Sequence, residues 1–204
     1  MVETYSSTLL QRAVTELKKL PGIGEKTALR LALHLLNQPE EVAVSLGEAV
    51  TRLRKEVKYC KQCHNISDSD ICAFCSDSKR NASIICVVED IRDMLAIENT
   101  GQFTGKYHIL GGLISPINGI GPDNLNISAL VDRVKQQQIE EIILALPSTV
   151  DGDITNHYIY NCFKSTDIRI SIIARGIPIG DELDYTDEVT LGRSIIMRQK
   201  YEGG

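Results

Sequence analysis

Cys60-Lys61-Gln62-Cys63-His64-Asn65-Ile66-Ser67-Asp68-Ser69-Asp70-Ile71-Cys72-Ala73-Phe74-Cys75 is the stretch that divides two kinds of sequence pattern. Upstream of it the apolar residues recur at helical spacing. Downstream, short apolar runs alternate with helical segments. The stretch itself carries two Cys-x-x-Cys pairs, eight residues apart. Each pair sets two thiolates on one side of a tight turn. Two such turns facing each other supply four sulfurs at about 2.3 Å from a tetrahedral Zn2+. Cys60, Cys63, Cys72 and Cys75 are therefore the expected ligands of a structural zinc ion. The gap between the pairs leaves no room for a recognition helix, so a compact knuckle is expected. Two disulfides are the competing reading, but nothing at the N-terminus resembles a secretory leader. A redox Cys-x-x-Cys normally occurs singly in a βαβ setting.

Upstream, Leu9, Leu10, Ala13, Val14, Leu17 and Leu20 mark a first helix,. Pro21-Gly22-Ile23-Gly24 breaks it. A second helix runs from about Glu25, with Ala28, Leu29, Ala32, Leu33 and Leu36 on its apolar stripe. Pro39 opens a third, with Val42, Leu46, Val50, Leu53 and Val57 expected inward. Downstream, Ser83–Val88, Tyr107–Leu110, Glu141–Leu146 and Ile168–Ala174 read as strands. Asp90–Ile97, Ile127–Gln136 and Asp153–Phe163 read as helices between them, and 113–125 as an ordered loop. That alternation predicts a mostly parallel sheet covered on both faces.

The chain has 204 residues, 43% hydrophobic and 24% charged, with no Trp and 5% aromatics. This is ordinary for a globular protein with a sizeable core. No apolar run approaches the roughly 20 residues that span a bilayer. Cys86 and Cys162 lie in apolar surroundings and read as buried small hydrophobes,. The net charge of −5 is unevenly spread. Residues 1–64 hold ten Lys/Arg against seven Asp/Glu, and residues 65–204 hold twelve against twenty. A mildly basic end on an acidic body suits phosphate on one face and a basic partner on another. Solvated surface charge is the plainer alternative.

Leu20-Pro21-Gly22-Ile23-Gly24-Glu25-Lys26-Thr27-Ala28 is the first candidate site. Gly22 and Gly24 in a tight turn expose backbone N–H groups at a helix start, where an anion such as a backbone phosphate is held. Such contacts fix position without reading sequence. Lys26 and Arg30 add charge one helical turn apart. A nucleotide P-loop fails, because Glu25 interrupts the Gly-Lys-Thr junction and no strand precedes the turn. An ordinary glycine-capped helix end remains an alternative. The second candidate is acidic: Glu89 at the end of one strand, with Asp151 and Asp153 after another. Carboxylates at the carboxyl edge of a parallel sheet could hold Mg2+, or could form an acidic patch for a basic protein partner, which is the favoured reading. His34, His108 and His157 read as core or surface residues, and His64 as a neighbour of the metal or an exposed residue.

The order of motifs closely resembles the bacterial RecR recombination mediator family. The motifs are Leu-Pro-Gly-Ile-Gly with Lys-Thr-Ala, the four cysteines, Val87-Val88-Glu89-Asp90-Ile91-Arg92-Asp93, and Tyr107-His108-Ile109-Leu110-Gly111-Gly112. Ala174-Arg175-Gly176-Ile177-Pro178 and Asp187-Glu188-Val189-Thr190-Leu191-Gly192-Arg193 complete the set. The resemblance spans nearly the whole chain. It implies a helix-hairpin-helix DNA-binding region over 1–58, a zinc finger over 59–80, a Toprim α/β domain over 81–178 and an oligomer-contact segment over 179–204. It also implies a non-enzymatic role in recombinational DNA repair, in the bacterial cytoplasm at the nucleoid. It further implies a ring-shaped homo-oligomer, a tetramer or dimer, acting on DNA with the RecO and RecF proteins. Relatives more often carry Thr-Asn-Pro before a Glu-Gly-Glu pair. This chain has Leu146-Pro147-Ser148 and Asp151-Gly152-Asp153, which keeps the charge on shorter side chains. A magnesium-dependent Toprim enzyme acting on phosphodiesters is the alternative, but it lacks an accompanying nucleophile.

Overall fold

The computed structural model describes residues 5–177, 180–198 and 200. Pro178, at the end of the Ala-Arg-Gly-Ile-Pro motif, lies outside the described residues. The chain divides after Val57 into two units.

The first unit is three helices. Helix α1 (Thr8–Leu17) is capped by Ser7, whose hydroxyl accepts the Leu10 N–H at 3.3 Å,. Leu20 lies past its end. Helix α2 spans Glu25–Leu36 and α3 spans Glu40–Glu56. Val14, Ala28 and Ala32 form the buried core, with Leu10, Leu17, Ile23 and Leu29 packed on it. The expected inward stripe of α3 is not inward. Val42, Leu46, Val50 and Leu53 are 43 to 61% exposed, and α3 buries no residue. The small alanine-centred core joins α1 to α2, and α3's apolar face lies outside it.

The second unit opens with a β-hairpin, β1 (Lys58–Tyr59) against β2 (Ile66–Ser67), followed by the short helix α4 (Ala73–Ser76). A four-stranded sheet follows, made of β3 (Asn81–Val88), β4 (Gly105–Ile109), β5 (Glu141–Ala145) and β6 (Arg169–Ile172). Its order is β4-β3-β5-β6 and every pairing is parallel. The connecting helices are α5 (Ile91–Asn99), α6 (Ile127–Gln136) and α7 (Val150–Phe163), and α8 (Glu188–Ile196) comes last. Strand alternation sorts the core into two layers. Ile85, Val87, Ile142 and Leu144 pack with Leu130, Val134, Ile159 and Phe163 of α6 and α7. Cys86, Val88, Tyr107, Ile109 and Ala145 pack with Met94 of α5. The sheet is thus covered on both faces, as its near-continuous apolar strands require.

Cys86 is buried as expected, and burial pushes its thiol up to about 12. Cys162 is not: it is exposed on α7. The Tyr160-Asn-Cys162-Phe163 context is helical, so only Phe163 of that run reaches the core. The loop 113–125 carries two 3-10 turns, Pro116–Asn118 and Pro122–Asn124. Among the described residues no helix is long and apolar enough to cross a membrane.

Candidate functional site

The hairpin between α1 and α2 is built by backbone geometry. Leu20 N donates to Leu17 O and Ile23 N to Leu20 O, both at 3.1 Å. Gly22 sits at φ +79, a conformation that a side chain resists,. Gly24 precedes α2 in extended conformation, and among the described residues no side chain caps that helix start. The open N–H groups of the first turn are left for another acceptor. Glu25, the acid that interrupts the loop, is paired with Lys18 and accepts the Tyr5 hydroxyl at 3.1 Å. The bond from Lys18 holds its carboxyl below the usual range. Lys26 and Arg30 lie on the outer face of α2, and His34 and Asn37 continue that face along a shallow groove. Gly22 and Gly24 lie in the turn before α2, and Lys26 and Arg30 lie one helical turn apart on α2. Lys18's masking of Glu25 is a tertiary contact that no local pattern announces.

At the knuckle, His64 N donates to Cys60 O at 2.9 Å and Cys75 N to Cys72 O at 3.0 Å. His64 adopts φ +62, the left-handed position that closes the first turn,. The sulfurs of Cys60, Cys63, Cys72 and Cys75 all lie within 4.8 Å of one another, and three of the four residues are buried. Tetrahedral zinc thiolates stand about 3.8 Å apart, from zinc–sulfur bonds of about 2.3 Å. The Cys63 and Cys72 sulfurs are 3.5 Å apart. The bond between Cys63 and Cys75 draws the Cys75 thiol down, helped by the Arg133 charge, and pushes Cys63 up, while burial pushes Cys72 up. A thiolate is the form that binds metal. The donor set fits Zn2+ and closes its coordination, as a structural site requires. His64 is not needed as a ligand; its ring packs edge-on against buried His108 at 5.3 Å.

Two buried cations tie this knuckle to the sheet. Lys106 of β4 donates from Nζ to the carbonyls of Phe74, Cys75 and Asp77 at 3.1, 3.0 and 2.6 Å. Arg133 of α6 donates from Nη1 to Tyr107 O at 2.7 Å and Gln62 O at 3.4 Å. Ile109 N adds a bond to Cys63 O at 2.9 Å. Lys106 and Arg133 were invisible to sequence reading, because a lone Lys or Arg in a strand or helix reads as surface.

The acidic residues stand at the carboxyl edge of the sheet but in different roles. Glu89 directly follows β3. Burial, then Asp93 and Asp90, push its carboxyl upward. Asp151 and Asp153 belong to the first turn of α7, one turn earlier than the expected helix start. Thr149 caps that helix, its hydroxyl accepting the Gly152 N–H at 3.1 Å. Gly152 is required by close approach, because a Cβ there would stand 2.0 Å from Pro147 O. Asp153 pairs with Arg175 at 2.8 Å and with Arg193 at 3.6 Å. These arginines hold its carboxyl below the usual range, Arg175 foremost. Among the described residues the four cysteines are the only group of three or more potential ligands brought together. Glu89, Asp151 and Asp153 form no such group.

A helical hairpin, a four-thiolate knuckle and a four-stranded parallel sheet covered by helices define a modular protein with a structural metal centre. Comparison with known families agrees for each module. The family described as "RecR, helix-hairpin-helix" matches residues 10–53, and the RecR zinc finger domain of the four-cysteine type matches 57–77. "Toprim domain" matches 83–174 and "RecR, C-terminal" matches 176–199. Proteins named "Recombination protein RecR" are similar over nearly their full length. That of Flavobacterium johnsoniae is 57% identical over 97% of this chain and 96% of its own. That of Phocaeicola vulgatus is 57% identical over 100% and 99%, and that of Porphyromonas gingivalis 54% over 98% and 97%. The chain belongs to the RecR family, and its cofactor is a structural Zn2+ held by Cys60, Cys63, Cys72 and Cys75.

Proposed function

We propose that this chain is a non-catalytic DNA-binding recombination mediator of recombinational repair, which closes on DNA as a ring-shaped homo-oligomer and acts with RecO and RecF. The observation that carries the reading is the uncapped start of α2 beside Lys26 and Arg30. Backbone amides, a helix N-terminus and two cations together suit a phosphate, and they carry no base-edge reader. The relatives' name supplies the recombination context. The bare apolar face of α3 supports assembly, since Val42, Leu46, Val50 and Leu53 gain burial only against another surface,. Glu89 and Asp151 are assigned to docking a basic partner. Asp153, already shared by two arginines, contributes less free charge. The same pairing supports a structural role for this acid over metal-dependent chemistry.

The test is the double variant Lys26→Ala with Arg30→Ala. It should weaken binding to every DNA sequence alike. It should also reduce the salt slope by about 1.8 per engaged chain, from about 0.9 per phosphate contact. Unchanged affinity and slope place the DNA site elsewhere. Magnesium-dependent cleavage or relaxation by the purified chain, lost on Asp151→Asn, would restore an enzymatic reading.

A further inference from the structure

The four zinc ligands are unequally sheltered. Cys60, Cys63 and Cys72 are buried, and Cys75 is not. A cavity of about 610 Å³ opens beside the knuckle. Of the four ligand residues, Cys75 lines it and the other three do not. Cys72 N also donates to the Cys60 sulfur at 3.3 Å, which draws electron density from that sulfur,. Oxidation of a cysteine starts from a thiolate that the oxidant can reach. Metal binding holds all four sulfurs as thiolates, so access selects among them. Access favours Cys75.

The cavity suits a small, neutral, polar oxidant. Its wall carries the buried cations Lys106 and Arg133 beside Ser76, Asn81, Ser83 and Gln137. A peroxide enters such a space as water does, and fixed positive charge favours the hydroxide that it releases. A second thiolate is in reach, since the four sulfurs all lie within 4.8 Å of one another. We propose that Cys75 is a site of oxidation by hydrogen peroxide, and that this oxidation unfastens the zinc knuckle. The Cys75 thiolate attacks one peroxide oxygen. The S–O bond forms as the O–O bond breaks, and hydroxide leaves. A neighbouring thiolate of the set then attacks the Cys75 sulfur. The S–S bond forms as the S–O bond breaks, and a second hydroxide leaves. The two thiolates give up two electrons, peroxide takes them, and solvent protons turn both hydroxides into water. Two thiolates then remain where a structural zinc site needs four. The Cys75 carbonyl is one of the three acceptors of Lys106, so the tie to β4 loosens with the metal site. A dithiol that reduces the disulfide reverses the change. The remaining two cysteines do not share this route. Cys86 is buried in the sheet core, and Cys162 is exposed, yet partial burial raises its thiol and leaves little thiolate near neutral pH,.

The zinc-loaded full chain is treated with limiting hydrogen peroxide. A colorimetric zinc indicator follows the metal released, and peptide mass spectrometry of alkylated samples maps the disulfides over time. Each disulfide formed should release one zinc ion, and the first disulfide should contain Cys75. Dithiothreitol followed by added Zn2+ should restore full zinc content. Cys162→Ser should release zinc at an unchanged rate. Proximity alone predicts a different first product, because the Cys63 and Cys72 sulfurs already stand 3.5 Å apart. Three outcomes overturn the proposal: a first disulfide that omits Cys75, zinc retained while Cys162 is oxidised, or release that is lost in Cys162→Ser. The disulfide map uses the unaltered chain, so it decides the matter without any variant of the knuckle.

Discussion

Replacing Lys106 by Met removes the clamp that joins the zinc knuckle to the sheet. The residue is 7% exposed, and its ammonium donates three bonds, to the carbonyls of Phe74, Cys75 and Asp77. An ammonium has three donors and no acceptor, so the match is complete. The location also balances charge. Four thiolates around a divalent ion leave a net charge of −2, and buried Lys106 and Arg133 bring two positive charges to its flank. Each charge-assisted bond contributes about 1.5–3 kcal/mol, which for three gives a ceiling of about 5–9 kcal/mol. The ceiling is not reached, because Asp77 and Ser76 border a cavity of about 610 Å³ through which water can rehydrate the freed carbonyls. Removing one partner of a buried charged contact typically destabilises by about 3–5 kcal/mol, and that is the expected loss for Lys106→Met. In a chain of this size it lowers Tm by about 6–20 °C. Urea unfolding at saturating zinc measures the loss, and chelator competition measures how fast the metal is extracted. Extraction should be faster in the variant, since the carbonyl of Cys75 is one of the three acceptors. Stability within about 1 kcal/mol of the parent, with unchanged extraction, would refute the clamp.

Three further outcomes are expected. Cys63→Ser should abolish stoichiometric zinc by metal analysis and loosen residues 58–77, because metal binding to such loops is also folding energy; full zinc content in the variant would contradict this. Gly152→Ala should destabilise by about 1–3 kcal/mol or more, because its Cβ meets the backbone oxygen of Pro147 at 2.0 Å; a melting curve like the parent's would show that the turn yields freely,. Burial draws His108 down to about 3, well below the roughly 6.5 of the unfolded chain,. As pH falls below about 6.5 the unfolded state takes up a proton that the folded state refuses, so stability falls with pH by up to about 1.4 kcal/mol per unit. An imidazole NMR titration of His108 should show a neutral ring at pH 5, and a midpoint near 6.5 would contradict it.

What was legible in the sequence was what local pattern carries. Cys-x-x-Cys spacing fixes a turn, so the four ligands could be named from it. The apolar run Ser83–Val88 has strand length, and it lies in β3, buried from Ile85 to Val88. Pro21-Gly22 announced its break because Gly22 needs φ +79. What failed depended on tertiary neighbours. The α3 stripe has the right period for a buried face, yet period says nothing about whether a surface exists to cover it. Cys162 sits among apolar residues in sequence, but on a helix its neighbours point elsewhere. Lys106 and Arg133 matter through partners 26 to 71 residues away, and Arg175 through one 22 residues away. A single charged residue carries no sign of such partners.

The first unit bears on assembly through two independent deficits. Its core is three buried residues, two of them alanines, while a 17-residue helix contributes none. Burying a Val or Leu side chain contributes about 1.5–3 kcal/mol, so covering the exposed Val42, Leu46, Val50 and Leu53 is a gain still open to it,. In the proposed function, the same unit would offer DNA one hairpin with Lys26 and Arg30 beside it. Two phosphate contacts are few, and sequence-independent binding strengthens with the number of cations engaged. Copies that bury their α3 faces together would also bring several hairpins to one duplex, where each later contact forms at high effective concentration. One association would answer both deficits. A variant with Leu46 and Leu53 changed to Glu should therefore lose oligomer mass by light scattering and DNA affinity together. Loss of one without the other would separate the assembly surface from the DNA-binding form.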